Sequence, residues 1–213
     1  GHQWGFFPSL GCAWIVSKES FLADTSKWLS FLKLRFSWGQ VGNDGVIDKP
    51  RFTHLPVISE SETTDPRPNR DMGNRYYVAS YPNSKIKWEV AEQLNLGVET
   101  KFFSGLLELN ADIYQEIRHN IIDYRITMPA TMGLEEYQLA NVGKVRSRGI
   151  DLAGKIQHAF SNDFWIILNG TFTYSKAVYK KIEEAVDKPE WQMRKNHEIS
   201  QAIGYIAEGL FRD

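Results

Sequence analysis

The chain has no apolar run approaching the roughly 18 residues that a membrane-crossing helix needs, so a helical span is excluded. Cys12 is the single cysteine, so no internal disulfide forms. Neither sign of charge dominates: 25 Lys and Arg stand against 26 Asp and Glu, a net charge of −1. That balance gives no footing for nucleic acid. Catalytic signatures are missing too: there is no Gly-rich phosphate loop, no nucleophile elbow and no Cys/His cluster. His197-Glu198 lacks the second histidine of a zinc-protease helix. Asn43-Asp44-Gly45 through Asp48 lacks the acidic spacing of an EF-hand and reads as a turn. Asn169-Gly170-Thr171 fits a glycosylation sequon but falls inside an expected strand. Glu183-Glu184 and Glu135-Glu136 fall in expected loops and read as solvated charge. No enzymatic reaction, metal or cofactor is expected, and no internal repeat or low-complexity tract stands out.

What the chain does have is alternation. From 88 to 102 the even positions are Trp88, Val90, Glu92, Leu94, Leu96, Val98, Thr100 and Phe102. The odd positions are Glu89, Ala91, Gln93, Asn95, Gly97, Glu99 and Lys101. Successive strand residues point to opposite faces, so this is a ribbon with one oily and one wet side. Five further ribbons behave alike. Residues 6–17 carry Phe6, Leu10, Cys12, Trp14 and Val16 on one face, and 31–41 carry Leu32, Leu34, Phe36 and Trp38. A ribbon from Leu106, running on irregularly toward Ile126, carries Leu107, Leu109, Ala111, Ile113 and Ile117. Residues 144–160 carry Ile150, Leu152 and Ile156, and 164–177 carry Phe164, Ile166, Leu168, Phe172 and Tyr174. A weaker last ribbon is expected from about His197 to Ile206. Strands of soluble proteins average about five or six residues, so ribbons this long point to the wall of a membrane β-barrel. Cys12 then reads as a small lipid-facing or packed residue rather than a reactive thiol. An aromatic share of 13% suits an interfacial girdle.

The links between ribbons alternate in length. Ser104-Gly105 reads as a tight hairpin turn and Ser161-Asn162-Asp163 as a short one, while 18–30 reads as a connector with one helical turn. Residues 42–87 form a polar stretch too long for an ordinary link and read as a functional or mobile loop. Further loops span 127–142 and 178–196. Outer-membrane barrels have this asymmetry of short periplasmic turns and long extracellular loops. It permits a test of thickness. Measured from the short turns, the oily face of the third ribbon runs from Phe102 until it meets Glu92, ten residues on. In the fifth it runs from Phe160 to Ile150, beyond which Arg148 and Arg146 follow; in the sixth it runs from Phe164 to Tyr174, and then Lys176 follows. About ten residues cross a bilayer at a tilt near 45°. Arg146, Arg148 and Lys176 are therefore expected at the outer interface, as solvated charge or as contacts for phosphorylated lipid head groups.

The same residues resemble the SusC/RagA family of TonB-dependent outer-membrane transporters. Phe6-Phe7-Pro8-Ser9-Leu10-Gly11 with Trp14, and Leu32-Lys33-Leu34-Arg35-Phe36-Ser37-Trp38-Gly39-Gln40-Val41-Gly42-Asn43, are similar to two of its strands. So are Asn83 through Trp88-Glu89 with Asn95-Leu96-Gly97, Asp112-Ile113-Tyr114, Asn141-Val142-Gly143 with Arg148-Gly149-Ile150-Asp151, and Gly204-Tyr205 with Gly209-Leu210-Phe211. Two departures are Ser84, where the family usually has Pro, and the basic run Arg146-Ser147-Arg148.

The expectation is an all-β fold: an antiparallel meander of about seven long strands, an open section of a 22-stranded transmembrane β-barrel. The resemblance implies that residues 1–213 are part of a larger parent whose plug, TonB-contacting segment, early strands and barrel C-terminus lie elsewhere. It implies an importer in the bacterial outer membrane for glycans, peptides or other large nutrients, energised through TonB and capped by a SusD-like surface lipoprotein. Tyr76, Tyr77, Tyr137, Tyr179 and Trp191, all in expected loops, are the candidate substrate contacts, because aromatic rings offer rigid area for stacking. The alternative is a soluble or surface-anchored β-rich glycan-binding module, with the oily faces packed on one another. A passive porin is a third reading.

Overall fold

The computed structural model describes residues 4–22, 28–43, 55–62, 74–129, 131, 137–206 and 209. The fold is all-β and antiparallel. Among the described residues eight strands form: β1 (Ser9–Ile15), β2 (Leu29–Asn43), β3 (Val57–Glu62), β4 (Asn74–Ser80), β5 (Glu89–Phe102), β6 (Leu107–Tyr124), β7 (Leu139–Ala159) and β8 (Trp165–Lys181). One sheet has the order β1-β2-β5-β6-β7-β8, and β3-β4 form a separate hairpin. The large sheet is a meander in which each strand pairs with its predecessor.

Direct partners in an antiparallel ladder project to the same side, so register decides whether the six oily faces agree. They do. One row of partners is Cys12, Phe36, Leu96, Ile113, Ile150 and Tyr174. The next is Trp14, Leu34, Val98, Ala111, Leu152 and Phe172. The apolar faces of the six stronger ribbons lie on one side of one continuous sheet. Among the described residues nothing covers that side: Leu96, Ile113, Leu168 and Phe172 are each more than half exposed. Among the described residues the buried apolar side chains are Val16, Leu29, Ala79, Leu139 and Val142, at the sheet's ends and in the hairpin. A second protein layer of the kind a soluble sandwich requires is not among them.

The edges of the oily band run obliquely. The row through Phe102 passes Leu107 and Ile156 to Leu168, yet the oily face of β8 begins at Phe164, four residues nearer the short turn. The row through Glu92 passes Ile117 and Arg146 to Val178, yet the first charge on β8 is Lys176, two residues nearer the same turn. Both edges thus slide the same way, by two to four residues between β5 and β7, and stay level from β7 to β8, where Phe160 meets Phe164 and Arg148 pairs with Lys176. Strands about 4.8 Å apart and tilted by about 40° must slide about 4 Å, or roughly 1.2 residues, per step to keep an edge level. The total skew is of the size that a flat slab of hydrocarbon would impose on tilted strands.

Four details depart from the sequence reading. The β5–β6 link is longer than a two-residue turn: it runs from Phe103 to Leu106, and Phe103, Ser104 and Gly105 all have positive φ. The stretch 42–87 contains the β3–β4 hairpin. The ribbon at 144–160 extends back to Leu139. The ribbon expected from His197 forms no strand there; Glu198 makes one antiparallel bridge to Val178 at the outer edge of β8. The irregularity expected late in the fourth ribbon is a bulge. Asn120 has φ +57°, and the β6–β7 register shifts around Ile121.

Candidate functional site

The side of the sheet opposite the oily one is polar and tied together by charge. Arg35 of β2 stands 3.0 Å from a Glu99 oxygen and donates two hydrogen bonds to the Asp112 carboxylate at 3.1 and 2.9 Å. Its guanidinium crosses β5 to reach β6, and it does so over Gly97, where a Cβ would lie 3.0 Å from Nη2 and collide with Asp112. Lys33 pairs with Glu99 and Lys101 with Glu108 on the same face. One row on, the Tyr114 ring lies across Gly149. Asn95 and Asp151 each carry a buried side-chain oxygen on this face with no donor. A donor from another part of a barrel would complete them. Arg35 Nε, though near Glu99, is poorly aligned for a hydrogen bond, so the contact is coulombic.

The long-loop end is pinned by asparagines. Asn141 accepts from Lys87 N at 2.8 Å and donates to the Lys87 carbonyl at 2.8 Å and to the Asn120 carbonyl at 2.6 Å. It therefore clamps the approach to β5 and the bulge at once. Gly143 leaves room for the bulge, since a Cβ there would lie 2.9 Å from Ile121 Cβ. Asn83 donates to the Leu139 carbonyl at 2.8 Å and accepts from Lys85 N at 3.0 Å. These contacts enclose a polar depression of about 570 Å³ bordered by Lys85, Lys87, Arg125 and Gln138. Sequence reasoning missed it because its walls come from loops that pack only in three dimensions; Asn83 and Asn141, singled out as motif residues, were the available signal.

All five aromatic candidates lie on segments that leave or enter the sheet at this end, spread over four elements. Tyr76 and Tyr77 sit on β4, and Tyr76 donates its hydroxyl to Glu60 at 3.1 Å. Tyr137 precedes β7 and is half exposed. Tyr179, near the end of β8, shares its row with Val145 on the polar side. Trp191 lies edge-on to Tyr205, with ring centroids 5.4 Å apart. The loop carrying it is organised by Glu184, which accepts from Arg194 N at 2.7 Å, Lys195 N at 3.1 Å and Lys188 Nζ at 2.9 Å. Burial pushes the Glu184 carboxyl up, but these three donors outweigh it and hold the group below the usual carboxylate range.

On the oily side, Trp38 and Glu92 mark the upper boundary, the indole N–H donating to the carboxylate at 2.9 Å. An amphipathic ring with its N–H toward water suits an interface. Arg148 and Lys176 are direct partners, and Arg146 is one row farther toward the long loops. The structure thus brings these three together on one face. The possible calcium loop at 44–48 and the acids Glu135 and Glu136 lie outside the described residues, apart from Asn43.

The family model for the TonB dependent receptor-like β-barrel matches residues 1–206. Two relatives are TonB-dependent receptor SusC of Bacteroides thetaiotaomicron, 24% identical, and TonB-dependent receptor P3 of Formosa agariphila, 25% identical. Each match covers 99% of this chain and 21% of the relative, so the chain spans about a fifth of the length of these curated relatives. The solved RagAB peptide transporter shares the fold at 23% identity and a TM-score of 0.65, over 83% of this chain and 18% of that one. The RagAB peptide importer in its closed-closed state does so at 21% and 0.69, over 90% and 20%. By name these relatives are receptors and transporters rather than enzymes.

Proposed function

The chain belongs to the TonB dependent receptor-like β-barrel family, and from that premise we propose that it is of the SusC/RagA branch and is a stretch of barrel wall in an active importer of the bacterial outer membrane. The observation carrying this reading is the level, slanted oily band on one side of the sheet. A sheet of six strands left open would expose unpaired edges to hydrocarbon, which has no groups to satisfy them. The wall is therefore completed by other strands of a parent, which the family resemblance implies is a 22-stranded barrel around a plug. The polar face, with its Arg35–Asp112 tie and the unmatched oxygens of Asn95 and Asp151, meets the plug and the substrate path.

The cargo is an oligosaccharide or peptide too large for porins, delivered with a SusD-like lipoprotein over the long loops and driven through TonB. Trp191, with Tyr76, Tyr77, Tyr137 and Tyr179, supplies stacking area at the mouth. Uptake of labelled oligosaccharides and peptides by cells making the full-length protein tests this. Uptake should stop when the proton-motive force is collapsed, and a Trp191→Ala change should lower it by about threefold to tenfold, the worth of one stacked ring. Energy-independent uptake would instead identify a passive pore. Unchanged uptake by the alanine variant would remove Trp191 from the substrate path.

A further inference from the structure

Arg148 and Lys176 face each other across β7 and β8 near the upper edge of the oily band, and Arg146 follows on the same face. Like charges set directly opposite repel, so the arrangement is unfavourable without an anion beside it. One carboxylate answers: Glu198, reaching Lys176 from the segment after β8. The arginines with carboxylate partners among the described residues are Arg35, Arg118 and Arg125, not these two. Arg148 is instead oriented by a neutral group, its Nε donating to Gln115 Oε1 at 2.7 Å. That bond aims the guanidinium while leaving its charge intact. Immediately toward the short turns the face opens into an apolar depression of about 650 Å³, floored by Leu96, Ile113, Ile150 and Tyr174, with Gln115, Arg148 and Lys176 along its rim.

Cations and an amide above a hydrocarbon groove match a molecule with an anionic head and an acyl tail. Guanidinium forks suit the tetrahedral oxygens of phosphate in particular. We propose that this site holds a phosphate-bearing lipid of the outer leaflet. The phosphate sits between Arg148 and Lys176 with Arg146 beside it, and an acyl chain lies along Ile113, Ile150 and Tyr174. The proposal rests on the barrel-wall reading and adds a specific ligand to it.

The test uses the full-length transporter, purified in detergent and examined by native mass spectrometry with three probes: lipid A, lipid A stripped of phosphate, and inorganic phosphate. Lipid A should be retained at least about tenfold better than the stripped lipid, and an Arg146→Gln/Arg148→Gln variant should lose that preference, as expected for charge-assisted bonds. Lys155→Gln, on the opposite face, should retain it. Equal retention of both lipids, or full retention by the double variant, overturns the proposal; so does inorganic phosphate displacing lipid A at comparable concentration, which marks a free-anion site. Should the double variant fail to fold, judged by heat-modifiable migration, Lys176→Gln takes its place with the same two outcomes. Failure of the barrel reading would look different: the protein would stay folded and monodisperse without detergent.

Discussion

Asp112 and Ile113 are neighbours on β6, and the two faces they belong to are built by different rules. Around Asp112 the side chains have specific charged partners: Arg35 on Asp112, Lys33 and Arg35 on Glu99, Lys101 on Glu108, with Gly97 and Gly149 giving room for an arginine and a tyrosine to lie along the wall. Around Ile113 the partners are interchangeable: Phe36, Leu96, Ile150 and Tyr174 form a row whose members share only their dislike of water. A surface that meets protein and solvent needs specific partners. A surface that meets hydrocarbon needs only to be apolar and of the right height, because lipid tails conform to any relief.

The contrast is broken most severely by a charge in the middle of the oily band. Leu96→Arg should destabilise the folded barrel by about 2–4 kcal/mol, while an arginine at the band's lower edge, Phe160→Arg, should cost about 0–1 kcal/mol from depth alone. Urea titration of the full-length protein folded into vesicles measures both. Costs that follow local packing rather than depth would favour the soluble sandwich. Next in size, Gly97→Val should lose about 1–3 kcal/mol, since the new side chain drives into Asp112 and Arg35. Gly170→Val, on the oily side where nothing lies within 4 Å, should be near neutral. A smaller loss, about 1 kcal/mol, is expected for Asp112→Asn, because Arg35 is more than a third exposed and its pairing is screened. A double-mutant cycle with Arg35→Met in low and high salt gives the coupling, which should shrink as salt rises.

The smallest effect belongs to the loop. The Glu184 carboxyl is held below its ordinary value, so the stability it lends is present above the unfolded-state value and is lost as pH falls through the lowered folded one. Hydrogen exchange across 190–198 should show protection of Arg194 and Lys195 amides fading in that acidic window. Glu184→Gln, used as the reference for intrinsic exchange, should show no such step.

The faces of the large sheet were legible because period-two alternation is strictly local: Leu94, Leu96 and Val98 declare their side without knowledge of any partner. Their agreement across six strands was not legible, since it depends on register. The β3–β4 hairpin was hidden because its strands are six and seven residues long in polar surroundings, and Ile58 and Val78 alone give too little alternation to read. The His197 ribbon failed for the opposite reason. Its alternation is there, but a strand exists only with a ladder, and contact with β8 stops after one bridge at Glu198 and the backbone bonds of Asn196, His197 and Ile199 to Tyr179 and Ala177. As for sites, Arg148 and Lys176 could be placed at one height from counting, whereas their facing each other, and Gln115 beside them, came from pairing.

The reach of Arg35 over Gly97 solves a problem that grease cannot. Slipping one strand by a single residue turns its apolar side toward water, and alternation alone forbids it. Slipping by two merely trades one leucine for another and leaves the oily side content. The same slip carries Asp112 about 6.8 Å from the guanidinium, so one arginine spanning three strands proofreads the alignment of β2, β5 and β6 as the wall is assembled.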